Sequence, residues 1–225
     1  MASETSPWIG AELEQWKALT QKRTPRLVKK KTALYQQQDD AKELYIVKEG
    51  RICITTFHHD GSERQLYIAE TGALFGERSC ILNQPHSTAA VAIVDSQVYA
   101  VPYSDVRGLL AADNELCQAI MRHLCRKNTV LKQQVIELSF SSAVQRIAQI
   151  LIYLADMYGV LTPAGIEIPI RFSHQDVANI MTTSRVTVNN TFTLFKSEGI
   201  LAKRNGKTII TNIEKLNRIA EPHCL

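Results

Sequence analysis

The sequence predicts an α+β chain in three consecutive parts: a β-sandwich or barrel, a long helix, and a small helical unit that ends in a β-hairpin. Three observations predict it. Between residues 26 and 103 short alternating runs recur at regular spacing, divided by turn residues. The chain from Glu115 to Phe140 contains neither Gly nor Pro. From Phe172 to Leu201 two short amphipathic segments each follow a serine, and an Asn205-Gly206 hairpin signal comes next. The expected boundaries are 1–112, 113–140 and 141–225.

In the first part, Glu43–Gly50 reads as a strand ending on glycine, and Arg51–His58 alternates with Ile52 and Ile54 on one face. Asp60-Gly61 is a hairpin signal, and Arg64–Ala69 is its return strand. Gly72 and Gly76 punctuate the next turn; Thr88–Val94 and Gln97–Val101 supply two more strands. After Pro102 the character changes, with helical segments at Ser104–Leu110 and Glu115–Phe140. In the longer one, Cys117, Leu124, Leu131 and Leu138 recur every seven residues, with Met121, Asn128 and Val135 at the complementary seam position. Leu at d with a single Asn at a predicts a parallel two-stranded pairing in fixed register, hence a homodimer; the alternative is a helix packed on its own β domain.

In the third part, Ala143–Tyr158 is a helix, apolar at Ile147, Ile150, Leu151 and Leu154, and Ile166–Phe172 is a strand. Ser173 and Ser184 are placed as N-caps of the two short helices. Val188, Phe192 and Phe195 form one buried stripe on the second. Arg185, Val186, Asn189 and Asn190 fall on another face, a set suited to base edges in a DNA major groove, and Ser184 and Thr187 join them at the helix start. Ile200–Lys203 and Lys207–Thr211 flank the hairpin turn, and Glu214–Ala220 is a terminal helix. Lys196, Lys203, Arg204 and Lys207 cluster where phosphate contacts are useful, so the hairpin reads as a basic wing. A second basic group, Lys22, Arg23, Arg26, Lys29, Lys30 and Lys31, reads as a solvated face.

The chain's 45% hydrophobic and 21% charged residues are those of a globular protein, and its net charge of +4 is compatible with nucleic acid without demanding it. No apolar run approaches the ~20 residues that cross a bilayer. The N-terminal MASETSPWIGAELEQW lacks the basic segment and apolar run of a secretory signal, so the expectation is a cytoplasmic protein with no membrane partner. Cys53, Cys80, Cys117, Cys125 and Cys224 form no CxxC pair and no zinc spacing, so reduced cysteines and no metal are expected, with Cys53 packed in a strand. A rival reading is a β-barrel enzyme, but His58, His59 and Asp60 are explained by the turn, and no nucleophile–base–acid set stands out.

Six stretches, in this order, are specific: Leu44–Gly50, Asp60–Glu63, Phe75-Gly76-Glu77, Arg146–Gln149, Ser173–Ala178 and Ser184–Val188. In them the chain resembles the CRP/FNR family of bacterial transcription regulators, from about Thr24 to Ile213. The resemblance implies a jelly-roll-like β-roll effector domain, a dimerisation helix and a winged helix-turn-helix that binds double-stranded DNA. It also implies RNA polymerase as a partner, for which the loop Tyr158–Gly165 is placed by position.

Departures from the family pattern bear on the effector. Cyclic-nucleotide-binding members follow Gly-Glu with Arg-Ser-Ala or Arg-Thr-Ala; the Glu holds the ribose hydroxyl and the Arg the phosphate. Here Gly76-Glu77 is followed by Ser87-Thr88-Ala89, so the arginine is missing; His86 and Arg78 are the nearby substitutes. The Thr-Ser pair that contacts adenine is replaced by Leu131-Lys132. These changes argue against cyclic AMP. No cysteine precedes Cys53, which removes the N-terminal cluster of the iron–sulfur members, and a lone Cys80 and His86 are poor grounds for haem. The sequence is similar to the branch that senses halogenated aromatics, in Asp60–Tyr67, Val186–Val188 and Asn205–Asn212. That likeness implies a halogenated phenol bound between β-roll and dimer helix, where Tyr67, Leu131 and Lys127 or Lys132 would line the site. Lys127, at a g position, has the alternative of an interhelical or solvated charge. No cofactor is expected beyond this small-molecule effector. In the reading helix, Val186 and Asn190 stand where the cyclic-AMP receptor has Glu and a second Arg. Val packs on a thymine methyl and Asn pairs with adenine, so the expected operator is an A/T-rich inverted repeat of the TTAAT type. A further alternative is a DNA-binding dimer whose β-roll is filled and needs no ligand.

Overall fold

The computed structural model describes residues 7–221 and divides into two compact units, Pro7–Leu131 and the chain from Lys132 onward. Cys224 lies outside the described residues.

The first unit runs β1 (Trp8–Ile9), a short 3-10 turn at Leu13–Trp16, α1 (Lys17–Thr20), β2 (Arg26–Val28), β3 (Ala33–Tyr35), β4 (Glu43–Glu49), β5 (Ile52–Phe57), β6 (Glu63–Ala69), β7 (Leu74–Phe75), α2 (Glu77–Leu82), β8 (Ala89–Ala92), β9 (Ser96–Pro102) and α3 (Tyr103–Ala112). It ends on the first part of α4 (Asn114–Phe140). One sheet has the order β1-β6-β5-β8-β3, the other β2-β9-β4-β7. Tyr45 and Val47 of β4, Ile52 and Ile54 of β5, Tyr67 of β6, Phe75 of β7 and Val98 of β9 meet in one buried cluster between the sheets. The intervening residues of β4, Leu44 and Ile46, join Trp16, Leu19, Val106, Leu116 and Ile120 in a second cluster. Burial on both faces explains why β4 reads as an unbroken apolar run rather than an alternation.

Asp60-Gly61 forms the β5–β6 turn: the Ser62 amide donates to Asp60 Oδ1 at 2.8 Å, and Gly61 has φ +83°. That bond, foremost, lowers the Asp60 carboxyl to about 2. Gly72 (φ +77°) is required by close approach, since a Cβ there would lie 1.7 Å from the carbonyl oxygen of Ala11. Cys53 is buried in β5 as expected, but so are Ile52, Ile54 and Thr55, so this strand is covered on both faces instead of alternating. In the N-terminal basic group, Arg26 pairs with Glu43 and Lys29 with Asp95, while Lys22, Lys30 and Lys31 are exposed.

Helix α4 presents Leu116, Ala119, Ile120, His123, Lys127 and Val130 as its buried face. The predicted seam falls on a different face: Met121, Val135 and Leu138 are 53%, 63% and 47% exposed, and Asn128 is exposed. The other seam positions, Cys117, Leu124 and Leu131, are half-buried, and Leu124 packs against the second cluster, so the helix does pack on the β domain while only part of the seam is turned outward.

The second unit holds α5 (Ala143–Tyr158), β10 (Val160–Thr162), β11 (Gly165–Ile168), α6 (His174–Ile180), α7 (Arg185–Ser197), β12 (Leu201–Arg204), β13 (Lys207–Ile210) and α8 (Ile213–Ala220). A capping box between Ser142 and Gln145 starts α5, whose Ile147, Ile150, Leu151 and Leu154 are buried. The sheet order is β10-β11-β13-β12. The strand expected over Ile166–Phe172 ends at Ile168. Pro169 follows, and without an N–H it cannot extend the ladder with β13.

Candidate functional site

The reading helix is built from its caps outward. Ser184 Oγ accepts the Thr187 amide at 3.0 Å, satisfying one of the free N–H groups at the start of α7. Ser173 and Asp176 make a reciprocal capping box on α6. Between the helices Thr182 has φ +50°, unusual for a β-branched residue. Arg146 holds this turn: its Nε donates to the Met181 carbonyl at 3.1 Å and its Nη2 to the Thr182 carbonyl at 3.5 Å, while Nη1 ties it to the Ser141 carbonyl ahead of α5 at 2.6 Å. Arg146 carried one of the matching motifs, but its structural job was not readable from spacing. Val188, Thr191, Phe192 and Phe195 anchor α7 in the core, which leaves Arg185, Val186, Asn189 and Asn190 exposed. Val186 is 68% exposed, a large apolar side chain held in solvent at a helix start. The wing turns at Asn205 (φ +52°) and Gly206 (φ +79°), the two left-handed residues a type I′ turn demands. Lys196, Lys203 and Arg204 are exposed, whereas Lys207 is half-buried and bound to Glu167 at 2.6 Å. Three of the four phosphate candidates are therefore displayed, and the fourth braces the wing against β11.

The effector candidates gather around α2. Gly76 (φ +80°) turns the chain so that Glu77 is buried at the helix start. Lys127 of α4 reaches it: Nζ lies 2.7 Å from Glu77 Oε1, with side chains only 8% and 4% exposed. This excludes the solvated or interhelical charge that the helix position of Lys127 had allowed. The same ammonium stands 5.2 Å from the centre of the Tyr67 ring. Glu77 Oε2 has no hydrogen-bond partner among the described residues. Burial, with Glu77 adding to it, keeps the Tyr67 phenol well above its ordinary range. Tyr35 lies in the same region, raised by burial, hydrogen-bonded to Thr88 and stacked on His86 at 3.7 Å between ring centres. Arg78 donates to Ser87 Oγ at 3.2 Å, carrying a guanidinium to the place of the missing arginine, though both residues are exposed. Leu131 is half-buried and Lys132 exposed. Cys80 donates from Sγ to the Glu43 carbonyl at 3.3 Å, and burial pushes its thiol up to about 11. Cys80 and His86 are thus both committed to packing contacts.

His123 lies one turn before Lys127 on the buried face of α4. Its Nε2 lies 3.2 Å from the Leu74 amide nitrogen and 3.0 Å from the Leu74 carbonyl oxygen, and Trp16 meets its ring edge-on. Burial, seconded by the charge of Lys127, lowers it to about 3. A lone histidine in a helix gives no sequence signal of this kind.

A double β-sheet unit with a buried cation–carboxylate pair, followed by a winged helix-turn-helix, defines a DNA-binding regulator with an effector-binding domain. Residues 25–113 match the cyclic nucleotide-binding domain and residues 145–219 the Crp-like helix-turn-helix domain. Among curated proteins, the chain is 24% identical over 211 residues to the CRP-like cAMP-activated global transcriptional regulator of Mycobacterium tuberculosis, covering 94% of each. Among solved structures it shares the fold of the c-di-GMP responsive global regulator CLP of Xanthomonas campestris (TM-score 0.79, 18% identity, 89% of this chain and 100% of that one). It likewise shares the fold of OCPA-complexed CprK (TM-score 0.73, 22% identity, 96% and 99%). The chain belongs to the CRP/FNR family of transcription regulators, and its relatives are regulators, not enzymes. No helix among the described residues is long and apolar enough to cross a membrane.

Proposed function

We propose that this regulator acts as a homodimer through the seam of α4, is gated by a small molecule other than cyclic AMP, and reads an A/T-rich inverted repeat. The observation that carries the effector reading is the buried Lys127–Glu77 pair beside Tyr67. One oxygen of the Glu that would hold a ribose hydroxyl is already taken by Lys127, and the cation at Ser87 is exposed rather than enclosed. An anionic aromatic ligand fits this chemistry: a halogenated phenolate oxygen would take Lys127 as its counter-ion while the ring packs against Tyr67. The OCPA-complexed CprK supports testing that class first. A ligand of this kind shifts the balance between two arrangements of the dimer only by its differential affinity for them.

For the operator, exposed Val186 and Asn190 favour thymine methyls and adenines over a guanine-rich half-site. Arg185 is left for a guanine or a phosphate. RNA polymerase remains a proposed partner, and β10 offers it Leu161, the most exposed large apolar residue of the described chain.

A second reading is favoured by the same burial. If the Lys127–Glu77 pair, Tyr35 and Tyr67 fill the β-roll, the dimer binds DNA without any ligand. Fluorescence anisotropy on a duplex with two TTAAT-like half-sites separates these readings. Binding that requires a chlorinated phenol establishes the gated regulator; binding restored by cyclic AMP overturns the effector assignment; equal binding in every tube establishes the ligandless dimer. Selection from random duplexes that returns a TGTGA-like half-site would overturn the operator reading.

A further inference from the structure

Within the DNA-reading unit, α6, α7 and the wing line an open cavity of about 490 Å³. Its floor is aromatic: the His174 ring lies 4.7 Å from Phe192, and Phe172 meets Phe192 at 6.5 Å. Its charged lining is cationic from two elements, with Arg185 and Lys196 from α7 and Lys203 from β12. No carboxylate among the described residues lines it; Asp176, the nearest acid along α6, is turned to the Ser173 amide and hydroxyl. Lys207, across the wing, is neutralised by Glu167. A space with three cations and no anion is an electrostatic vacancy for a compact anion.

His174 is the one lining group able to change charge near neutrality. It shares a side-chain hydrogen bond with Asn189, a base-edge candidate of the reading helix. We infer that this cavity receives a phosphate of the DNA backbone, and that His174 takes up a proton from solvent as the phosphate enters, so that DNA affinity rises as pH falls. In the free protein, burial and then Lys196, Lys203 and Arg185 hold the imidazole below its ordinary 6.5, while the bond to Asn189 opposes them. A phosphate among those cations cancels their repulsion and adds an attraction of its own. The bound state then has the higher affinity for the proton, and by linkage the protonated protein has the higher affinity for DNA. The same proton makes His174 a donor to Asn189, fixing the amide that faces the bases.

The test uses the full chain on two duplexes, an A/T-rich inverted repeat and one of mixed sequence, at fixed salt. A phosphate contact carries no sequence information, so both should tighten several-fold from about pH 8 to about pH 5.5, with a salt slope steeper by about one per reading helix at the lower pH. His174→Gln should lose the rise on both duplexes. His174→Arg, a permanent cation, should bind without pH dependence and keep the steeper slope. A pH-independent wild type, or a His174→Gln variant that still tightens in acid, overturns the inference. Tightening confined to the inverted repeat also overturns it, because base reading rather than phosphate would then be at work. The imidazole resonance of His174, followed by NMR, should titrate at higher pH with duplex than without. An equal displacement by inorganic phosphate alone would assign the cavity to free anions and overturn its assignment to the DNA backbone.

Discussion

Lys127 shows how a side chain that reads as a surface charge becomes an interior one. Its four-carbon stem crosses the apolar face of α4 between His123 and Val130, and its ammonium meets Glu77 where water is excluded. Removing one member of such a pair strands the other charge. Lys127→Met should therefore cost the effector-binding unit about 3 kcal/mol or more, and adding Glu77→Gln should recover most of that loss. Urea unfolding of the single and double variants reads this directly, and equal stability of the two would disprove the coupling. His123 makes a separate prediction. Its folded-state value near 3 lies below the ordinary 6.5, so the unfolded chain binds the proton more tightly. The stabilisation is complete above about pH 6.5 and erodes as pH falls toward about 3, by at most about 1.4 kcal/mol per pH unit. A urea midpoint measured across that range should fall in acid, and His123→Gln should flatten the slope.

At the scale of elements, α6, the reading helix α7 and the wing are specified locally. Serines cap both helices, an apolar stripe buries α7, and Asn-Gly turns the wing. The turn between the helices is the strained member. Thr182 adopts φ +50° without glycine's freedom, at a cost of about 1 kcal/mol, and is held by the Arg146 bonds to the Met181 and Thr182 carbonyls. Thr182→Gly should relieve that strain and raise the thermal midpoint of the DNA-binding unit by a few degrees, as calorimetry would show; a fall would mean that the Thr182 side chain supplies packing worth more than the strain. The strands differ. Long runs such as β4 to β6 and β9 announce themselves by pattern, whereas β1, β2, β3, β7 and β10, of two or three residues each, do not. Two residues cannot display a period, and such strands exist because a neighbour supplies their hydrogen bonds.

For the whole molecule, the outward face of α4 carries the proposed assembly. Met121, Val135 and Leu138 are large apolar side chains left exposed in one chain, and a second copy packed in register would cover them around Asn128. Val135→Glu with Leu138→Glu should yield monomers in sedimentation and lose tight binding to an inverted repeat. Dimers that persist would place the assembly elsewhere. In the full chain, replacing Lys203 and Arg204 by Gln should weaken every DNA sequence alike. The salt slope should fall by about one for each phosphate that is no longer neutralised.

By itself the sequence determined the succession of parts, the caps and buried stripe of the reading helix, the wing turn and the exposed side chains proposed to meet DNA. These are local properties: periodicity, capping and turn chemistry act over a few residues. Only the tertiary structure decided that Lys127 meets Glu77 fifty residues away, that His123 is held neutral against Leu74, and that Arg146 steadies a strained turn. It also decided that His174 faces three cations across a cavity. A long side chain on a helix looks the same in sequence whether its end reaches water or a carboxylate. What settles the matter is the excluded solvent and the partner that folding brings to it.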